Sequence, residues 1–122
     1  MPAEKTGLRV LVIEDEGMVA MLLEDMLTEL GHQVVGTAGR LDKAAALVAD
    51  TAIDFAILDV NLDGQHSYSV AASLKERGIP FAFATGYGGS GLRPEWRETP
   101  VLQKPFTERD LEQVIRRALA LV

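Results

Sequence analysis

Asp15, Asp59, Thr85 and Lys104 each stand at the end of a different apolar run. Asp15 closes Leu8-Arg9-Val10-Leu11-Val12-Ile13-Glu14, and Asp59 closes Ile53-Asp54-Phe55-Ala56-Ile57-Leu58. Thr85 closes Ile79-Pro80-Phe81-Ala82-Phe83-Ala84, and Lys104 follows Val101-Leu102-Gln103. In an open parallel sheet the carboxyl ends of the strands share one edge, and ligands bind in the crevice there. Residues far apart in sequence then meet as carboxylates, a hydroxyl and an ammonium, a set suited to handling a phosphoryl group around a divalent cation. Glu14-Asp15-Glu16 alone is an ordinary acidic helix start, favoured by the helix dipole. Together, Glu14, Asp15 and Asp59 crowd three carboxylates that resist full ionisation unless a cation screens them. Magnesium suits such a site, because it accepts a few carboxylate oxygens, keeps several waters and bridges to phosphate. Asp15 is the expected direct ligand, with Glu14 acting through water or a hydrogen bond. Asp59 enters the turn Val60-Asn61-Leu62-Asp63-Gly64, and a strand-end aspartate often only bonds such a turn. Beside a cation and an ammonium it is instead a competent nucleophile towards phosphorus. Asp63 is a rival lying further into the loop. A cis Lys104-Pro105 bond is one way to hold the ammonium over the pocket.

The elements that must position these groups are legible as periodicities. Leu8 to Glu14 is nearly all apolar, as in a strand buried on both faces. Val19, Leu22, Leu23, Met26, Leu27 and Leu30 carry helical spacing, and Gly31 stands where a left-handed C-terminal cap is favoured. His32 to Ala38 reads as a second strand, Leu41 to Ala49 as an alanine-rich helix and Ile53 to Val60 as a third strand. Ser67 to Arg77 reads as a helix carrying Val70, Ala71 and Leu74 inward, stopped by Gly78. Ile79 to Ala84 is the fourth strand. Gly86, Gly88, Gly89, Gly91, Pro94 and Pro100 then make a poor helix, so residues 86–99 are expected to be a mobile loop with at most a short helix near Pro94 to Arg97. A short fifth strand precedes Lys104. Thr107-Glu108-Arg109-Asp110 reads as an N-cap with an acidic first turn, opening a helix that buries Leu111, Val114, Ile115, Ala118 and Val122. Right-handed crossovers turn this alternation into an α/β doubly wound, five-stranded parallel sheet covered on both faces, with the fourth helix short or disordered.

Composition narrows the function. With 122 residues the chain is expected to be one domain, spanning 1–122. A net charge of -6 argues against direct nucleic-acid binding. The absence of cysteine excludes disulfides, thiolate metal sites and cysteine nucleophiles. No apolar run approaches the about 20 residues of a membrane span, and no signal-peptide pattern opens the chain, so a cytoplasmic location is expected by default.

Val12-Ile13-Glu14-Asp15-Glu16, Ile57-Leu58-Asp59-Val60-Asn61-Leu62, Ala84-Thr85-Gly86 and Gln103-Lys104-Pro105-Phe106 resemble, in order, the motifs of the receiver domains of two-component response regulators. The resemblance covers essentially the whole chain. It implies the flavodoxin-like strand order 2-1-3-4-5, with Glu14 and Asp15 as the acidic pair. It further implies Asp59 as phosphoacceptor, Thr85 as switch hydroxyl, Lys104 as the family lysine, and magnesium held by Asp15, Asp59 and the backbone carbonyl of Asn61. It implies a sensor histidine kinase or histidine phosphotransfer protein as donor, and an unidentified downstream protein partner. Neither nucleic acid nor membrane is expected to bind. Self-phosphorylation and self-dephosphorylation are expected, without a metabolic reaction, in a monomer or weak homodimer. The lack of an output segment after Val122 reads as a stand-alone regulator or a receiver excised from a longer protein.

Two departures stand out. Val101 occupies the position, three before the lysine, where receivers usually carry an aromatic. The usual fourth helix is eroded by glycine. Both, with Phe83-Ala84-Thr85-Gly86-Tyr87, resemble the receiver subgroup nicknamed FATGUY, and suggest that the Gly86 to Gly91 loop orders when Thr85 engages a phosphoryl group. Asn61 and Tyr87, two residues after Asp59 and Thr85, stand where receivers tune hydrolysis, and Tyr87 is a candidate for the aromatic that moves. A small aspartate-nucleophile phosphohydrolase is the alternative. Asp59-Val60-Asn61 loosely resembles the Asp-X-Asp signature of haloacid-dehalogenase-like phosphatases, but lies on the third strand and lacks the second aspartate. A flavodoxin-like cofactor binder lacks a phosphate loop after the first strand. His32 and His66 are expected at the surface. Trp96 is expected to plug the loop or face a partner, and Met18 and Met21 to pack.

Overall fold

The structure, a computed structural model, describes residues 7–86 and 92–121. Its elements are β1 (Arg9–Ile13), α1 (Gly17–Glu29), β2 (Gln33–Ala38), α2 (Leu41–Asp50), β3 (Phe55–Asp59), β4 (Asn61–Leu62), β5 (Gln65–His66), α3 (Tyr68–Glu76), β6 (Phe81–Thr85), a single 3-10 turn (Pro94–Trp96), β7 (Val101–Gln103) and α4 (Glu108–Ala120). Five strands form one parallel sheet in the order β2-β1-β3-β6-β7, which is the expected doubly wound arrangement.

Strand alternation sends successive side chains to opposite faces, and each face has its own helices. Val10, Val12, Phe55, Ile57, Ala82 and Ala84 pack with Leu23 and Leu27 of α1 and with Leu111, Val114 and Ile115 of α4. Leu11, Ile13, Ala56, Leu58 and Phe83 pack with Val48 of α2 and Val70, Ala71 and Leu74 of α3. Trp96, from the 3-10 turn, joins that second layer and is buried. Among the described residues, the connection from β6 to β7 carries this single turn. Gly31 ends α1 at a φ of 90°, a left-handed conformation that costs glycine nothing. Thr107 caps α4: its hydroxyl accepts from the Asp110 N–H at 3.1 Å while the Asp110 carboxylate accepts from the Thr107 N–H at 2.9 Å. No described helix is long and apolar enough to cross a membrane.

Several expectations need correction. The stretch after Asp59 is a small antiparallel hairpin, with Asn61 opposite His66 and Leu62 opposite Gln65. Met18 and Met21 do not pack but are 85% and 65% exposed, because the buried stripe of α1 runs through Leu23 and Leu27. His32 is buried, its Nδ1 accepting from the Leu8 N–H at 3.2 Å, while His66 is exposed as expected. The proposed ordering of the Gly86 to Gly91 loop, the role of Tyr87 and the burial of Val122 fall outside the described residues.

Candidate functional site

Register brings the pocket together. Ile13 pairs with Leu58 and Asp59 with Ala84, so Glu14, Asp59 and Thr85 emerge beside one another at the carboxyl edge. Thr85 pairs with Gln103, which puts Lys104 one residue further along the same edge. Glu14, Asp59 and Thr85 are buried, whereas Asp15 and Asn61 are exposed.

Lys104 ties the acids together. Its Nζ donates to Asp59 Oδ2 at 2.9 Å, lies 2.9 Å from Glu14 Oε1, and is 3.5 Å from Glu16 Oε1. The Lys104-Pro105 peptide is cis. Asp59 Oδ1 accepts from the Asn61 N–H at 3.2 Å, and the Asp59 carbonyl accepts from the fully buried Ser67 hydroxyl at 2.6 Å. Asp15 Oδ2 accepts from the Asp63 N–H at 2.9 Å. Glu14 Oε2 accepts from the Glu16 N–H at 3.1 Å. Burial pulls the Lys104 ammonium down, but its close contacts with the Glu14 and Asp59 carboxylates outweigh that and hold it above lysine's ordinary value. Burial pushes Glu14 up to about 7, against the pull of Lys104 and the Glu16 N–H and with the charge of Asp59 adding to the rise.

Carboxylate oxygens of Glu14, Asp15 and Asp59 lie within 4.8 Å of one another. Lys104 sits off the line that a hydrogen bond to Glu14 Oε1 needs, so this buried oxygen has charge beside it but no aligned donor. An all-oxygen donor set with one under-coordinated buried oxygen fits a small hard cation. The residues singled out from sequence thus converge at one edge. Sequence reasoning missed the roles of Ser67 and the Asp63 N–H, and gave Glu16 no contact with Lys104 beyond its place in the acidic run. Asp63-Gly64 between Leu62 and Gln65 is the signature of a two-residue hairpin turn and was the available signal. Ser67 gave none beyond its place before a helix.

Comparison with known proteins agrees with this geometry. Residues 10–116 match the response regulator receiver domain family. The solution structure of SdrG from Sphingomonas melonis Fr1 is 43% identical, with a TM-score of 0.85, covering 98% of this chain and 99% of that one. PdtaR, a transcriptional regulatory protein of Mycobacterium tuberculosis, is 31% identical over 92% of this chain and 57% of its own length. The crystal structure of anti-anti-sigma factor PhyR from Bartonella quintana is 28% identical with a TM-score of 0.82, over 98% of this chain and 50% of that one. The chain spans about half the length of the curated relatives it matches. It belongs to the response regulator receiver domain family, whose members are phosphoaccepting signalling switches rather than metabolic enzymes. The phosphohydrolase alternative is not favoured.

Proposed function

We propose that Asp59 is the phosphoacceptor and that a histidine kinase or histidine phosphotransfer protein is the donor. The observation that carries this reading is the Lys104 ammonium 2.9 Å from both Asp59 and Glu14. An Asp59 oxygen attacks the phosphorus of a phosphohistidine. The new P–O bond forms as the P–N bond breaks, and that bond's electron pair stays with the departing imidazole. Lys104, 2.9 Å from Asp59, orients the carboxylate and then balances the charge of the phosphoryl oxygens. The Asn61 N–H fixes the carboxylate on its other oxygen. Thr85, at the end of the neighbouring strand, donates its hydroxyl to a phosphoryl oxygen. Glu14, Asp15, Asp59 and the Asn61 carbonyl would hold magnesium, which when bound supplies charge neutralisation at the phosphoryl oxygens. Hydrolysis of the acyl phosphate by water resets the domain.

Residues 1–122 act as one receiver of the FATGUY kind, on the strength of Phe83-Ala84-Thr85-Gly86-Tyr87, Val101 and the 3-10 turn in place of a helix. The similarity to the Bartonella anti-anti-sigma factor PhyR, with this chain's net charge of -6, supports a protein rather than nucleic acid as output partner, in the cytoplasm. The decisive test is intact mass after incubation with acetyl phosphate, with and without magnesium, beside Asp59→Asn. A magnesium-dependent gain of one phosphoryl group, absent from the variant, is expected; an equal gain in Asp59→Asn would reassign the acceptor.

A further inference from the structure

We propose that the tip of the β4-β5 hairpin is a positioning element for the Asp15 carboxylate, acting through the Asp63 backbone N–H. The inference rests on the reading of Glu14, Asp15 and Asp59 as a cation site. Those three acids are held very differently. Glu14 is buried and Asp59 is tied to Lys104 and Asn61, whereas Asp15 is exposed. An exposed carboxylate swings freely unless something fixes it. Among the described residues, what fixes it is the hydrogen bond from Asp63 at 2.9 Å, across 48 residues of sequence.

That N–H is aimed by strained backbone. Asp63 has a φ of 48° and Gly64 a φ of 84°, consecutive left-handed residues that make the turn of a two-residue hairpin. Asp63 adopts this conformation at a cost that the surroundings must offset. The hairpin base is anchored by Leu62, 1% exposed in the core, and by two backbone bonds, Val60 N–H to the Ala84 carbonyl and Ser67 N–H to the Val60 carbonyl. Asn61, which faces Asp59 through its N–H, starts the same hairpin. One rigid strap therefore contacts two of the three acids. A donor to one carboxylate oxygen fixes the group's plane and leaves its other lone pairs for a cation. Such outer donors to metal-ligating carboxylates are worth about 10- to 100-fold in metal affinity. The plainer reading, that the bond only docks the hairpin, predicts a change in stability with no change in affinity for the cation.

Gly64 separates the two. A Cβ there meets nothing within 4 Å, so a side chain acts through the backbone conformation alone. Magnesium is titrated calorimetrically into the full chain as native protein, Gly64→Val and Gly64→Asn, with thermal unfolding followed without magnesium. Gly64→Val is expected to bind magnesium about 10-fold more weakly, and Gly64→Asn, which tolerates the left-handed region, within about twofold of native. Equal or tighter binding by a folded Gly64→Val overturns the proposal. Should that variant fail to fold, hydrogen exchange at the Asp63 amide of the native protein decides. Protection that rises as magnesium saturates supports the positioning role, and exchange indifferent to magnesium overturns it. A native protein that binds no magnesium overturns the cation-site reading itself, and this inference with it.

Discussion

Lys104 holds Glu14 and Asp59 at 2.9 Å each, with Glu16 at 3.5 Å, and no other described cation lies within ion-pairing distance of Asp59. Lys104→Met is therefore expected to slow phosphorylation by acetyl phosphate about 100-fold, the scale of removing one preorganised charge donor. Intact-mass time courses check this, and a rate within a few fold of native would deny Lys104 its role. Ser67 is the second residue on which Asp59 leans, through the backbone carbonyl. Ser67→Ala is expected to cost about 1 kcal/mol, read as a lowered urea midpoint. The acids and the lysine were legible from sequence because strand ends in a parallel sheet share an edge. Ser67 and the Asp63 N–H were not, because neither a buried hydroxyl nor a backbone group leaves a periodic signal.

At the scale of elements, sequence pattern served best where a core face set the period. α4 carries Leu111, Val114, Ile115 and Ala118 inward with its capping box in place, as read. α1 misled in part, since its methionines share helical spacing with its leucines but lie off the buried stripe. The 3-10 turn stands where glycine and proline leave too little helix propensity for more. It owes its place to Trp96, stacked on Tyr68 at 6.2 Å and edge-on to Phe83 at 5.9 Å, with the Lys75 ammonium 5.7 Å over its ring. Trp96→Ala is expected to lower stability by about 3 to 5 kcal/mol, the range for emptying a large aromatic from a core. Denaturant unfolding measures it, and a loss under about 1 kcal/mol would mean that the turn is held otherwise.

For the whole molecule, His32 is expected to contribute sensitivity to acid. Burial lowers its pKa, with Glu112 opposing, so the folded chain keeps a neutral imidazole that the unfolded chain protonates near about 6.5. The unfolded state then binds more protons, and stability present above that pH is lost as pH falls through it. Glu14, held up at about 7, acts with the opposite sign in the same window, so the His32 contribution is read as a difference: between about pH 7 and about pH 5.5 the native urea midpoint should fall relative to that of His32→Gln. The sheet that joins the two core layers has a further consequence for observation. Trp96 is the only tryptophan in the chain, and Phe83, edge-on to it, lies two residues before Thr85 on β6. A displacement of Thr85 towards a phosphoryl group therefore tugs on the surroundings of the one indole. Its emission maximum becomes a label-free gauge of occupancy at the opposite end of the strand, readable in real time and silent in Asp59→Asn.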